Sequence, residues 1–577
     1  MFLKNMNKYF GASDTFSGRP GKEVTKKLLF LAVTMIFGIL SISLAYRQLI
    51  FNSFSMLPGD RYDMVIMSAI LEHWKNVWAG YSQWHDVGYF YPYTRTIAQT
   101  DGYFLIGVIF SFIRIFVNDI FLSVVLTTIT LSGIGFISIY ILTRRKLAFR
   151  FETSLLISCV FVLFSSLVSH NQRLQLMSVY FLPVLTIFLL NYLHGVNQKY
   201  SKLSTTLSGC AFGLFYGAMT ITCFYIAWFY ALFLMIVFIV FAFSKPKIIL
   251  EWFKSFLSLK SSSFVVFVVF VVFVVSLLPF VWAYYPKSLE VGVRNYSSVS
   301  ANLIVPLELI QVGFDNYIYG VLLRHVFAFF YPGYQPWGEY YNVGFSPLIF
   351  GLFIVALFCF SKKTDDKENS YFLLTGVSSL IGCFLVVKIN GFSLWYYVYS
   401  FIPGAQALNA VSVFLMVLSL PVLIVVGKYI DTQKFTKSFF VVLSLVIIIG
   451  ELTTPYLHFD RKVEDRRIAD IPAPPEYCHV FYVSNFKEQM TIPGFPEWVN
   501  SMYAHNVTAM MISQIIKLPT INGVASFNPR DWNFAAPWDK GYDERVFVYA
   551  KKHGVNSLCK FDLNNKTWTE LDAFSEK

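Results

Sequence analysis

Eleven long apolar runs, separated by short polar or basic stretches, dominate the chain. They lie at about 28–49, 119–142, 152–168, 174–194, 207–222, 223–243, 263–283, 345–361, 370–389, 405–427 and 437–455. Most approach the roughly 20 residues that cross a bilayer core at about 1.5 Å per residue. The pattern therefore predicts an all-α polytopic membrane protein with about 11 transmembrane helices. A further apolar run, 102–118, contains Arg114 and is followed at once by the run 119–142. If both crossed, the cluster Arg144-Arg145-Lys146-Arg150 would fall outside. An interfacial or re-entrant helix over 102–118 returns that cluster to the cytoplasmic side, as the positive-inside rule favours.

The remaining basic residues follow the same threading. Lys4, Lys8, Arg19, Lys22, Lys26 and Lys27 hold the tail 1–27 inside, and the first run reads as a signal anchor that stays. Lys199/Lys202, Lys245/Lys247, Lys362/Lys363 and Lys428/Lys434 then also fall inside. Outside lie loops 50–118, 284–344 and 390–404, with the tail 456–577. The expected domains are thus a cytoplasmic tail (1–27), a transmembrane domain (28–455) and an extracytoplasmic domain (456–577). The Val-Val-Phe units of 264–275 predict a lipid-facing helix with little information content.

The tail is a different material. Ile471-Pro472-Ala473-Pro474-Pro475 predicts a stiff linker. Beyond it, His479–Val483 reads as a strand, Val507–Lys517 as a helix, and Arg545–His553 as a helix closed by Gly554. A small α/β domain is predicted there.

Composition agrees with the pattern: 56% of residues are hydrophobic and only 14% charged. The net charge of +12 comes largely from basic residues in short loops between spans, which fits topology and anionic lipid rather than nucleic acid. Cys159, Cys210, Cys223, Cys359 and Cys383 lie in apolar runs, whereas Cys478 and Cys559 share the polar tail and can pair if it is extracytoplasmic. No zinc spacing, Walker-type loop or Gly-x-Ser-x-Gly elbow is present, which argues against an ATP-driven pump and a serine hydrolase.

Charge is costly at a membrane helix end unless it faces water, a ligand or a counter-charge, so Pro58-Gly59-Asp60-Arg61-Tyr62-Asp63 stands out. Either acid can cap a helix over the pattern that follows; the cap falls more naturally to Asp63, because Asp60 follows the turn-forming Pro-Gly. Glu72 and His73 read as a solvated helix end. Asp101 either caps the helix after it or belongs to a site, and Tyr91 and Tyr93 are either interfacial aromatics or ligand contacts. Arg61, Arg95, Arg173, Arg294 and Arg324 are available to phosphate. His170, Gln172 and Arg173 sit at the external turn between the third and fourth spans, as a plain polar turn or as a cavity rim. His325 and Glu339 read as solvated loop residues.

Taken in order, these landmarks resemble the GT-C superfamily of integral membrane glycosyltransferases, and within it a large set of bacterial membrane proteins. They are Gly59–Asp63 with Leu71-Glu72-His73, Phe90-Tyr91-Pro92 with Asp101, and His170-Asn171-Gln172. Ile402-Pro403-Gly404-Ala405, Pro519-Thr520-Ile521-Asn522-Gly523 and Pro529-Arg530-Asp531-Trp532 complete the series across nearly the whole chain. The resemblance implies transfer, with inversion, of a sugar from a polyprenyl-phosphate donor to a glycan or lipid acceptor of the envelope. The setting it implies is the outer face of a bacterial inner membrane. It implies catalytic roles for Asp60 and Asp63, with Asp60 as the base, and substrate contacts from Arg61, Tyr91, Arg95, Asp101, His170, Gln172 and Arg173. Two departures are visible. The loop has no Asp-x-Asp, which leaves use of Mg or Mn open, and the arginine expected soon after Pro403-Gly404 is missing from Ala407-Leu408-Asn409-Ala410. Transport or flipping of lipid-linked glycans, and glycan polymerisation or ligation, are the alternative readings.

Overall fold

The structure is a computed structural model that describes residues 20–197, 201–247, 250, 260–334, 342–362, 366–454, 458–485, 492 and 495–570. Lys4, Lys8, Arg19, Lys199, Glu339 and Lys363 lie outside the described residues.

The principal helices are α1 (Pro20–Ala45), α2 (Arg61–Trp78), α3 (Phe104–Arg114), α4 (Ile120–Ile141), α5 (Phe151–Leu163), α6 (Ser165–Ser169), α7 (Leu182–Asn197), α8 (Lys202–Thr222) and α9 (Phe224–Ser244). They continue as α10 (Lys260–Val291), α11 (Pro347–Ser361), α12 (Lys367–Leu385), α13 (Trp395–Phe401), α14 (Phe414–Thr432) and α15 (Lys437–Gly450). The tail adds α16 (Arg461–Ile468), α17 (Glu497–Ile516) and α18 (Tyr542–His553).

Among the described residues, seven helical segments are long and apolar enough to cross a membrane, making this a multi-pass membrane protein: Lys27–Ala45, Ile120–Lys146, Phe151–Ser169, Leu176–Val196, Phe224–Ser244, Phe264–Val291 and Val411–Thr432. The other four expected spans correspond to α8, α11, α12 and α15. α8 and α12 are diluted by polar side chains, while α11 and α15 are shorter, with 15 and 14 residues. The run 102–118 folds as the 11-residue α3, about 16 Å long at the α-helical rise and too short to span.

α14 is buried along nearly its whole length and packs against α5, α9, α11 and α12. α10, in contrast, turns most of its Val-Val-Phe surface outward. It is held on its other side by α8, where Gly209, Gly213 and Gly217 form a small-residue stripe. A Cβ on Gly217 would lie 2.5 Å from the Ser276 carbonyl oxygen, and one on Gly213 3.1 Å from the Phe273 Cα. Lipid gives helices no hydrophobic reason to associate, so close backbone approach through such residues carries the contact.

One end of the bundle carries the basic clusters. Arg150 pairs with Asp431 at 3.2 Å, Lys428 pairs with Glu368, and a cavity of about 530 Å3 opens among Lys362, Asp366, Glu368 and Thr432. The opposite end carries residues 170–173, the start of α9, and the two loops that meet the tail.

The tail holds a three-stranded sheet of β3 (Val480–Ser484), β4 (Leu558–Asp562) and β5 (Thr567–Glu570), with β4 central, parallel to β3 and antiparallel to β5. Thr520 pairs with Phe481 of β3, and residues 88–91 of the first loop bond along 520–522. That loop therefore extends the tail's own sheet. The expected strand appears one residue later than read, α17 begins ten residues earlier, and Gly554 closes α18 with φ +62°. Cys478 and Cys559 are joined in a disulfide with Cα atoms 5.7 Å apart. A second, two-stranded ladder pairs β1 (Met56–Pro58) with β2 (His458–Asp460), setting the start of the first loop beside the exit of the last span.

Candidate functional site

Local rules fix the acid-bearing turn. Gly59 adopts φ +81°, and its missing side chain lets Gln172 close over it: a Cβ there would lie 2.2 Å from the Gln172 Cβ. The turn delivers Asp60 as the N-cap of α2, where Oδ1 accepts the N–H groups of Tyr62 (2.8 Å) and Asp63 (3.0 Å). The cap is thus Asp60 and not Asp63, because Pro58-Gly59 ends the extended β1 one residue before helical geometry begins. Asp63, in the first turn, points instead to Arg173, with Oδ2 3.4 Å from the Arg173 Nε. Asp63 stays one-third exposed while Arg173 is buried, so this pair reaches water through its acid.

The 170–173 turn follows a break in the helix at Phe164, whose ψ of 120° ends α5 before α6 restarts. Glu451 caps the restart, its Oε2 accepting the Ser165 N–H at 2.8 Å. His170 ends α6, buried, with Nδ1 2.7 Å from the Ser166 carbonyl. Its ring is a brace within the turn, while Gln172 and Arg173 extend to the first loop. Gln175 continues the contact by accepting from the Tyr103 hydroxyl at 2.7 Å.

Through Tyr103 this strip reaches Asp101. The carboxylate does not cap α3, whose N-cap is Tyr103 without a side-chain bond; it accepts the Phe224 N–H at 3.0 Å, the first of α9. Burial pushes the Asp101 carboxyl up to about 6, against the lowering effect of that N–H. Asp60, Asp63, Gln172 and Arg173 therefore share one end of the bundle, and Asp101 joins them along the chain through Tyr103, which bonds Gln175.

The other candidates are engaged elsewhere. Arg61 is buried with all three nitrogens on the tail: Nε to Glu464 at 2.9 Å, and the others to the Ala504 carbonyl and the Thr508 hydroxyl. Its guanidinium acts as an interdomain tie, which explains why an arginine beside two acids is tolerated. Arg95 stacks over the Trp282 ring at 4.5 Å. Tyr91 is held by its backbone, its N–H to the Thr520 carbonyl and its carbonyl to the Tyr549 hydroxyl. Glu72 and His73 are not solvated: both are buried, Glu72 pairing with Arg114 of α3 at 2.9 Å and with Lys75 at 2.7 Å. Burial also pushes the His73 imidazole down to about 4. Arg114 in an apolar run is thereby explained by a partner on a different helix.

Within the Pro519–Gly523 landmark, residues 520–523 are buried. Asn522 is fully buried, its Oδ1 accepting from Val483 N–H at 2.9 Å and its amide donating to Asn506 and Tyr542. A cluster not foreseen from the chain lies nearby, where Asp531 accepts from Tyr93 (2.5 Å), Lys552 (2.6 Å) and His553 (2.8 Å). Burial works against its charge, yet these donors hold the Asp531 carboxyl well below the usual range. Its only sequence signal was the landmark Pro529–Trp532. Among the described residues no group of three or more His, Cys, Asp or Glu is placed to hold a metal ion.

No family model matches the chain, and no curated protein sequence matches it. Among solved structures the chain is similar to the crystal structure of the Archaeoglobus fulgidus oligosaccharyltransferase in the apo form. The two share 12% identity over 93% of this chain and 69% of that one, with a TM-score of 0.49.

Proposed function

We propose that the chain is a membrane glycosyltransferase that moves a sugar from a polyprenyl-phosphate donor to an envelope glycan or lipid acceptor. The proposed setting is the outer face of a bacterial inner membrane, with the N-terminus cytoplasmic and the tail periplasmic. The observation that carries the reading is the juxtaposition of Asp60 and the Asp63–Arg173 pair, at the bundle end opposite the basic clusters. The motif resemblance set out above supplies the reaction class.

In the proposed reaction an acceptor hydroxyl attacks the anomeric carbon, the bond to the phosphate breaks, and configuration inverts. Asp60 takes the hydroxyl proton. Asp63 orients Arg173, whose guanidinium faces the charge that develops on the leaving phosphate. Gln172, closed over Gly59, offers an amide beside the base. Asp101 lines the far side of the strip.

Asp60→Asn is the test, because asparagine caps a helix as well as aspartate and leaves the fold intact. The expected result is a normally melting protein without transfer of labelled sugar from a polyprenyl-phosphate donor in membrane vesicles. Full transfer by this variant would overturn the base assignment. Transport of lipid-linked glycans draws on a different observation, the helix break at Phe164 capped by the buried Glu451. That reading expects labelled glycolipid to change leaflet with no new glycosidic bond.

A further inference from the structure

The structure separates the five arginines that the sequence offers to phosphate. Arg61 is bound to the tail, Arg173 faces Asp63, Arg95 lies flat on Trp282, and Arg324 is exposed over the Phe314 ring. Arg294 differs from all four. Its Nε is buried with no acceptor, and among the described residues no carboxylate lies within ion-pair distance. A buried guanidinium N–H without a protein acceptor is costly, so an anion that supplied the acceptor would be bound favourably there.

The surroundings hold Arg294 in place. Its backbone N–H donates to the Gln406 carbonyl at 3.1 Å, in the turn after Pro403-Gly404. Its carbonyl accepts from the Tyr399 hydroxyl at 2.7 Å. The guanidinium lies over the Phe527 ring at 4.7 Å and donates to the Ser526 carbonyl at 3.2 Å. The charges of Arg294 and Asp101 both bear on the Tyr225 hydroxyl, which accepts the Asn409 N–H at 2.7 Å. Arg294 thus joins the same bundle end as Asp101, from the other side. Apolar side chains flank it outward: Leu289 and Val293 beside it, and Tyr397 and Phe401 on α13 are each more than half exposed.

We infer that Arg294 recognises the phosphate of a lipid-borne phosphate, with the apolar tail lying along Leu289, Val293, Tyr397 and Phe401. The inference rests on the reading above and names the phosphate contact that Ala407–Ala410 does not supply. Arginine suits the role because its rigid fork offers two N–H groups to one phosphate.

The test is binding without turnover, using the full chain in phosphatidylcholine nanodiscs and farnesyl phosphate as probe. Farnesol, inorganic phosphate and phosphatidylglycerol serve as competitors, and thermal melting is followed in parallel. Wild type is expected to bind farnesyl phosphate well above farnesol, and neither inorganic phosphate nor phosphatidylglycerol is expected to displace it. Arg294→Gln is expected to weaken binding about 10–100-fold, the range for charge-assisted hydrogen bonds, with Arg294→Lys in between. Phe401→Ser, at a position 78% exposed, leaves packing alone and is expected to weaken farnesyl phosphate through its tail. Equal binding of farnesol, displacement by phosphatidylglycerol or inorganic phosphate, or wild-type affinity in Arg294→Gln or Phe401→Ser would each overturn the proposal. Because no sugar moves in this assay, its failure is distinct from failure of transfer in the Asp60→Asn experiment.

Discussion

Arg61 and Glu464 form a buried ion pair, Nε to Oε1 at 2.9 Å, between the first turn of α2 and α16 in the tail. Arg467 joins Glu464 from the following turn. Arg61→Met is therefore expected to cost about 2 kcal/mol, below the figure for a stranded charge because Arg467 still partners Glu464. Limited proteolysis in the 471–475 linker, read beside thermal melting, should show the tail loosening first. Unchanged cleavage would mean that the tail is anchored without this pair.

Gly59→Ala meets two obstacles at once. The φ of +81° disfavours alanine, and the new Cβ would overlap Gln172. The expected loss is about 2–4 kcal/mol of stability, with sugar transfer falling alongside it. Gln172→Gly in the same chain removes the Cβ that makes the overlap and should recover part of the loss. Failure of that rescue would place the whole cost in the backbone.

Gly217→Val tests the seam between α8 and α10. The obstruction is the Ser276 carbonyl, backbone that cannot rotate away, so about 1–3 kcal/mol of destabilisation is expected. The same change at Gly351, where a Cβ meets nothing within 4 Å, should be silent by comparison. Equal melting of the two variants would argue that the seam is not tightly packed.

His505 gives the tail a pH signature. Burial pushes its imidazole down to about 3, and its Nε2 donates to the Phe534 carbonyl at 2.7 Å. Below the ordinary histidine range the unfolded chain takes up a proton that the folded one refuses. This contribution to stability is therefore full above about 6.5 and is lost progressively as pH falls toward about 3. His505→Gln keeps a donor for Phe534 and should flatten melting temperature against pH across that window. A slope matching wild type would assign the acid sensitivity to other groups.

The apolar runs read well from the chain because hydrophobic length is a local property. The same holds for α18, where a periodic face meets the glycine stop at 554. Burial of Glu72 was not legible, since its charge is met by Arg114, a partner on a different helix that no local pattern names, and His73 is covered by the loop at Trp84. Nor was the cap: a shift of three residues between Asp60 and Asp63 turns on where β1 ends, and β1 exists only because residues 458–460 pair with it. The same distance hid the role of Asn522, a buried junction between β3 and α17. Of the candidate site, the acids were visible as costly charge, while their partners emerged only from the assembled bundle.

The ladder between β1 and β2 also fixes an order of events in the making of the protein. Arg61 and Glu464 are 403 residues apart, so at roughly 5–20 residues per second the first loop waits on the order of 20–80 s for the segment that completes it. Until then the acid-bearing turn lacks its strand partner and its arginine tie. A nascent chain cut short before residue 458 would carry every apolar helix and none of these closures. On the proposed function, sugar transfer is expected only from chains that extend past residue 464, and products cut short before residue 458 are expected to be inert.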